Sequence, residues 1–90
     1  MSGSVIGATI EAQTAQVLAN LRAVLIAAGL DLPDILKTTV HLAHLERDFA
    51  GFNAVYASVF SAPYPARTTV GSVLLGVLLE IDCVATSRDL

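Results

Sequence analysis

The chain has 90 residues, of which 54% are apolar and 14% are charged, and its formal net charge is −3. This length supports one small domain, and the apolar fraction exceeds the roughly 45–50% of a typical soluble domain, which predicts that a subunit interface covers the excess. Apolar runs such as residues 73–79 are too short for a membrane span, and the five basic residues are scattered, so neither a membrane nor a nucleic acid is expected as a partner.

The first third of the chain predicts one helix. Residues 1–9 are expected to form a flexible N-terminus. Apolar residues then recur at steps of three and four, which predicts a helix over residues 10–28 with Thr9 as its N-cap. Gly29 suits the left-handed residue that follows many helices.

The remaining elements predict a small sheet and a second helix. Strands are expected over residues 35–45, 66–74 and 77–85, with a turn near residues 75–76 between the last two. An apolar stripe predicts a helix over residues 48–60. The order α-β-α-β-β is typical of an α+β layer, in which two helices cover one face of a small sheet. The apolar residues of the other face are expected to pack against neighbouring subunits.

The last two strands carry the residue pattern that best fits chemistry. If they form an antiparallel hairpin, Arg67, Thr69, Glu80 and Asp82 share one face, because opposed residues of a hairpin point the same way. An arginine can bind a carboxylate through two hydrogen bonds, and a glutamate can orient or deprotonate a water. This combination suits a small carboxylate-bearing substrate attacked by water. The alternative is a structural ion pair, or charges at the rim of a subunit interface.

The other candidate functional residues are less informative. Asn53 interrupts the apolar stripe of the second helix, and its amide either contacts a ligand or forms a capping or interface hydrogen bond. The single cysteine, Cys83, should face away from Arg67 and Glu80 as a buried, inert thiol, and it fits a reducing cytoplasm. The spacing of His41 and His44 places them on opposite sides of a strand, which argues against a zinc site.

Ser72 has no base at a recognisable spacing, so the sequence does not predict a serine nucleophile.

Five segments, in their order and spacing, resemble the Rid/YjgF family over residues 10–86, with residues 87–90 as a C-terminal tail. They are Gln13-Thr14 through Leu25-Ile26-Ala27-Ala28-Gly29, Lys37-Thr38-Thr39-Val40-His41-Leu42, Phe52-Asn53-Ala54-Val55-Tyr56, Pro65-Ala66-Arg67-Thr68-Thr69-Val70 and Leu79-Glu80-Ile81-Asp82-Cys83-Val84-Ala85. The resemblance implies a chorismate-mutase-like α+β fold, assembled as a homotrimer with ligand pockets between subunits.

The resemblance also implies an activity. Active members hydrolyse reactive enamines and imines, such as 2-aminoacrylate, to 2-oxo acids and ammonia, so the expected ligand is a small 2-imino or 2-oxo acid. By this resemblance Arg67 binds the substrate carboxylate and Glu80 positions the attacking water, while Asn53 and Thr69 line the pocket. The resemblance implies no metal or organic cofactor.

The chain departs from the family pattern in two places. The N-terminal strands, with their Gly-Pro-Tyr-Ser and Ser-Gly-Gln segments, are expected to be absent, which makes this a truncated member. The connection between Arg67 and Glu80 is also shorter than in most members. A non-catalytic module that binds small carboxylates, or an oligomeric interaction module, therefore stands as the alternative function. Ribonuclease activity, also described in the family, does not fit a pI near 5.0 without a basic patch.

Overall fold

In a computed structural model that describes residues 9–87, two helices pack on one face of a three-stranded mixed sheet, which confirms the predicted α+β class and element order. The elements are α1 (Ile10–Ala27), a short 3-10 helix (Leu32–Asp34), β1 (Ile35–Leu42), α2 (Leu45–Val59), β2 (Ala66–Gly71) and β3 (Leu79–Ala85). The predicted flexible N-terminus and C-terminal tail lie almost wholly outside these residues. No helix in the part of the chain that the structure describes is long and apolar enough to cross a membrane.

Helix α1 begins and ends as its sequence predicts. The Thr9 side chain accepts a hydrogen bond from the Ala12 N–H at 3.1 Å, which satisfies a donor that the first turn leaves without a helical partner. Ala28 forms the C-cap, and Gly29 follows with a φ of 81°, a conformation that side chains other than glycine rarely adopt.

Helix α2 begins at Leu45, three residues before the predicted start, and His44 occupies the N-cap position. Asp48, predicted to open the helix, lies instead in its first turn and is buried. Its carboxylate accepts two hydrogen bonds from the guanidinium of Arg47, at 2.8 and 2.9 Å. These hydrogen bonds hold the pKa of Asp48 below its ordinary value, against the opposing effect of burial.

The predicted hairpin between the last two strands is wrong. β1 lies between them in the order β2-β1-β3, parallel to β2 and antiparallel to β3. The physical reason is the connection through α2, since a helix between two strands returns the chain to the starting end of the sheet and makes the strands parallel neighbours. β3 then takes the other edge of β1.

The segment at residues 72–78, predicted to be mostly strand, instead crosses the end of β1. It is fixed at both ends, because the Ser72 N–H donates to the Leu42 carbonyl and the Ala43 N–H donates to the Leu78 carbonyl, each at 2.9 Å. β1 accordingly ends at Leu42 rather than at residue 45. Gly76, in the predicted turn, has a φ of 76°.

This sheet order separates residues that were predicted to share a face. Arg67 aligns with Thr38 on the face that the helices cover. Glu80 aligns with His41, and Asp82 with Thr39, on the face that they leave open. The predicted placement of Arg67 and Thr69 together is correct, because both belong to one strand. The predicted placement of Glu80 and Asp82 beside them is wrong.

The core lies between the covered face of β1 and the two helices. Val40, Leu42 and Phe52 are fully buried there. The helices are in close contact at Gly51, where an added Cβ atom would lie 2.8 Å from Cγ2 of Ile10. A glycine at this position therefore allows α1 and α2 to pack in contact.

Candidate functional site

Arg67 is the second residue of β2 and extends over α2. Its Nη1 donates a hydrogen bond of 2.7 Å to the side-chain oxygen of Asn53. The guanidinium carbon lies 4.8 Å from the ring centre of Tyr56, 5.5 Å from that of Phe52 and 5.6 Å from that of Phe49. The arginine is thus held by one amide oxygen and three aromatic rings.

The spacing of residues along α2 places the groups that support Arg67 on one side of the helix, and we call this set of side chains the platform. Phe49, Phe52, Asn53 and Tyr56 are separated by steps of three and four residues, so they project from one side of the helix. Neighbouring rings are in contact, with centres 6.3 Å apart for Phe49 and Phe52 and 5.3 Å apart for Phe52 and Tyr56. The interruption of the apolar stripe at Asn53 therefore marks the place where the helix meets Arg67.

A second hydrogen bond fixes the position of Tyr56 within the platform. The hydroxyl of Tyr56 and that of Thr38, on the central strand β1, lie 2.8 Å apart, and both residues are buried. The ring of Tyr56 consequently cannot move away from the sheet without breaking a buried hydrogen bond, which costs about 1–3 kcal/mol when a partner is left unsatisfied. The ring closest to Arg67 is the one most firmly held.

The charge of Arg67 is not neutralised within residues 9–87. The ion pairs of that region are Arg22 with Asp31 and Arg47 with Asp48, and neither includes Arg67. A half-buried guanidinium on aromatic faces gains from the negative face of each ring, but an amide oxygen and rings do not cancel a full charge. The site as folded therefore suits an anion.

Thr69 lies two residues further along β2, on the same face as Arg67 and roughly 6.5–7 Å away along the strand. Its hydroxyl oxygen is buried and has no hydrogen-bond partner among the residues described. Buried hydroxyls are normally paired, so this one is a polar group available to a ligand or to a conformational change of its own. Thr69 and Arg67 therefore share one face of β2, as the alternation of strand residues predicted.

Glu80 is exposed and lies on the other side of the sheet. On that open face the residues align in three rows across β2, β1 and β3. The rows are Ala66, Lys37 and Val84; Thr68, Thr39 and Asp82; and Val70, His41 and Glu80. Glu80 therefore cannot contact a small molecule held by Arg67 of the same chain.

Sequence reasoning missed one contact on the open face. Nδ1 of His41 and the hydroxyl of Ser72 lie 2.8 Å apart, although the residues are 31 positions apart in the chain. Ser72 directly follows β2, and the parallel pairing of β2 with β1 brings the two side chains together. A base for Ser72 could have been found only by predicting that pairing.

Cys83 also differs in position from its prediction. It aligns with Thr38 in the middle of the sheet, so it lies on the same covered face as Arg67 rather than facing away from it. Loss of solvent, and to a lesser extent the charge of Asp82, raises the pKa of the Cys83 thiol. A raised pKa keeps the sulfur protonated and makes it a poor nucleophile, as expected of an inert thiol.

The fold agrees with the comparison to known families. The model of the family described as Endoribonuclease L-PSP matches residues 1–87. The chain belongs to this family, which is the Rid/YjgF family.

Individual relatives are similar along most of this chain. The chloroplastic Reactive Intermediate Deaminase A of Arabidopsis thaliana is 42% identical over 87 residues, which cover 94% of this chain and 46% of that protein. The YjgF gene product of E. coli superimposes with a TM-score of 0.85 at 41% identity, over 91% of this chain and 68% of that one. E. coli TdcF with bound serine gives a TM-score of 0.85 at 38% identity, with the same coverage. The chain thus spans less than half of the plant relative and about two thirds of the bacterial ones.

Proposed function

We propose that this chain hydrolyses reactive enamines and imines of the 2-aminoacrylate type to 2-oxo acids and ammonia. The observation that carries the proposal is the guanidinium of Arg67, which is half-buried, oriented by Asn53 and three rings, and without an ion-pair partner in residues 9–87. A planar carboxylate matches it through two parallel hydrogen bonds. The Arabidopsis relative, which is named a reactive intermediate deaminase, supports the same class of reaction.

The proposed reaction consumes one water. The enamine first takes a proton on its methylene carbon and gives one up from nitrogen, which converts it to the imine. The water oxygen then bonds to the imine carbon while the C=N π electrons move to nitrogen, which takes up a proton. The hydroxyl proton of the resulting carbinolamine then moves to the nitrogen, the C=O bond forms, and the C–N bond breaks to release ammonia. Arg67 favours the addition step, because it neutralises the carboxylate next to the carbon under attack.

In this proposal the water is handled by Glu80, which accepts a proton from it and returns the proton to nitrogen. Because Glu80 and Arg67 of one chain lie on opposite faces of the sheet, the Glu80 that serves a given Arg67 would belong to a neighbouring copy. The open face, with Val70 and Val84 partly exposed on it, is the surface on which that copy would pack. A homotrimer in the cytoplasm is the proposed assembly and location.

An imine-hydrolysis assay tests the reaction. 2-Iminobutyrate or 2-aminoacrylate is generated enzymatically, the protein is added, and the loss of the imine is followed. Arg67→Ala should lower kcat/KM about 100-fold or more, because two charge-assisted hydrogen bonds of about 1.5–3 kcal/mol each are lost. Arg67→Lys is the matched control that keeps the charge and loses the paired geometry. A folded wild-type protein that does not accelerate imine loss would refute the proposal.

Subunit mixing tests the shared site. Arg67→Ala and Glu80→Ala chains should each be nearly inactive alone. If Arg67 and Glu80 act from different subunits of a trimer, co-refolding equal amounts restores about a quarter of the wild-type activity, because each mixed trimer regains one intact site. No recovery in mixtures that are shown to contain mixed trimers would refute the shared site.

A binding module for small carboxylates is the second candidate, and the division of the site favours it. Arg67 and the residues that orient it belong to one chain and share one side of the sheet, whereas Glu80 of that chain lies on the other side. E. coli TdcF, a structural relative, was solved with bound serine. Calorimetric titration with serine and 2-oxobutyrate distinguishes the candidates, since a binding module takes up the acid, depends on Arg67 and turns over no imine.

A further inference from the structure

The open face of the sheet holds a contact that the proposed reaction has not used. His41 is half-buried in the middle strand, and its Nδ1 lies 2.8 Å from the hydroxyl of Ser72. His41 is also aligned with Glu80 on the neighbouring strand β3. Ser72, His41 and Glu80 therefore follow one another across β2, β1 and β3 on one face.

The Ser72 contact limits how the imidazole can be oriented. The two ring nitrogens point away from each other, so a ring with Nδ1 on the β2 side turns Nε2 away from β2. β3 lies on that other side. Directly opposed residues of antiparallel strands have Cβ atoms about 4.5–5.5 Å apart, so the side chains of His41 and Glu80 lie side by side. Within residues 9–87 as folded here the two form no hydrogen bond or ion pair, and a rotation of the exposed Glu80 side chain brings its carboxylate to Nε2. Asp82, the other carboxylate on this face, is opposite Thr39 instead.

The charges also select a tautomer. When the Ser72 hydroxyl donates to Nδ1, the ring proton sits on Nε2, and an N–H at that position is a donor for a carboxylate. A negatively charged acceptor on the β3 side favours this arrangement over the reverse one, in which Nδ1 donates to Ser72 and Nε2 offers only a lone pair to Glu80.

We propose that His41 is a positioning residue for Glu80, with its Nε2–H donating to the Glu80 carboxylate and Ser72 fixing the ring. The proposal rests on the proposed function, in which Glu80 handles the attacking water. Its consequence is that Glu80 presents one defined oxygen to the water of the neighbouring site, while the other oxygen is held by the histidine. Groups that orient a catalytic side chain in this way commonly change activity by about 10–100-fold.

Two substitutions of His41 distinguish the role of Nδ1 from that of Nε2. The amide of His41→Gln reaches the region of Nε2 and keeps a donor for Glu80, whereas that of His41→Asn reaches only the region of Nδ1 and keeps the Ser72 contact. The expected result is that His41→Asn lowers kcat about 10-fold or more at unchanged KM, and that His41→Gln restores most of it. His44→Asn, at the exposed N-cap position of α2 and away from the open face, is the control and should leave kcat unchanged. An equal loss in both histidine variants, or a loss in neither, overturns the proposal.

Nitrogen-15 NMR provides a measurement that does not need activity. In the wild type the ring of His41 should carry its proton on Nε2, and the Hε2 resonance should move in Glu80→Gln while circular dichroism and thermal unfolding stay unchanged. A proton on Nδ1, or an Hε2 resonance that does not respond to Glu80→Gln, overturns the positioning role. If the wild type hydrolyses no imine, the proposed function fails, and the NMR result alone decides whether His41 and Glu80 are paired.

Discussion

Replacing Thr69 by valine is expected to stabilise the protein, although it removes a hydrogen-bonding group. The Thr69 hydroxyl is buried and has no partner within residues 9–87, so folding strips it of water without compensation. Valine has nearly the same shape, and both residues are β-branched and favoured in strands. The substitution therefore changes the polarity of one buried atom and little else.

The size of the effect follows from the burial of that atom. An unsatisfied buried hydroxyl costs about 1–3 kcal/mol, and the lower end applies because Thr69 as a whole is only half-buried. The free energy of unfolding should rise by about 1 kcal/mol, which corresponds to an increase in Tm of about 4–8 °C for a domain of this size. Thermal unfolding followed by circular dichroism, at one fixed protein concentration, measures it.

Two other threonines provide matched controls. Thr86→Val, at an exposed position directly after β3, should stay within about 0.5 kcal/mol of the wild type. Thr38→Val removes the partner of the Tyr56 hydroxyl and should destabilise by about 1–3 kcal/mol. If the hydroxyl of Thr69 binds substrate as proposed, Thr69→Val also raises KM. A Thr69→Val protein that unfolds more easily than the wild type would refute the reasoning, because its hydroxyl must then be paired.

Two further predictions concern the helices. Gly51→Ala should lower the free energy of unfolding by about 1 kcal/mol, as measured by urea unfolding. The added Cβ would lie 2.8 Å from Cγ2 of Ile10, and this overpacking outweighs the gain in helix propensity. Increased stability would contradict the close helix contact. The lowered pKa of Asp48 means that its pairing with Arg47 stabilises the fold fully above the ordinary aspartate pKa of about 3.9, and that this stabilisation is lost as the pH falls below it. Wild type and Asp48→Asn should therefore differ in urea midpoint at pH 7, and the difference should shrink as the pH is lowered below about 3.9; a difference that does not shrink in acid would count against the ion pair.

The sequence predicted well whatever depends on one segment at a time. The start of α1 at the Thr9 cap and its end before Gly29 follow from local backbone chemistry. The shared face of Arg67 and Thr69 follows from the alternation of a single strand. The sequence also singled out Asn53 as the polar interruption of an apolar stripe, and this is the residue that contacts Arg67.

What failed was the choice of strand partners. Two adjacent strands joined by a short segment favour a hairpin, and nothing local in residues 66–85 shows that β1 lies between them. The pairing is decided by the crossover through α2, which is a property of the whole chain. The error placed Glu80 on the wrong face, and the same missing information concealed the contact of His41 with Ser72.

The position of β1 between β2 and β3 has a consequence for how such a protein can diverge. One face of the sheet holds Arg67 and the other holds Glu80, with a layer of backbone between them. Under the proposed function, the residue that binds the ligand and the residue that activates the water therefore lie on separate faces of the sheet. Substitutions on one face need not change the side-chain packing of the other. Under the same proposal, a related protein that loses Glu80 still binds small acids through Arg67, so one substitution would convert an enzyme of this fold into a sensor.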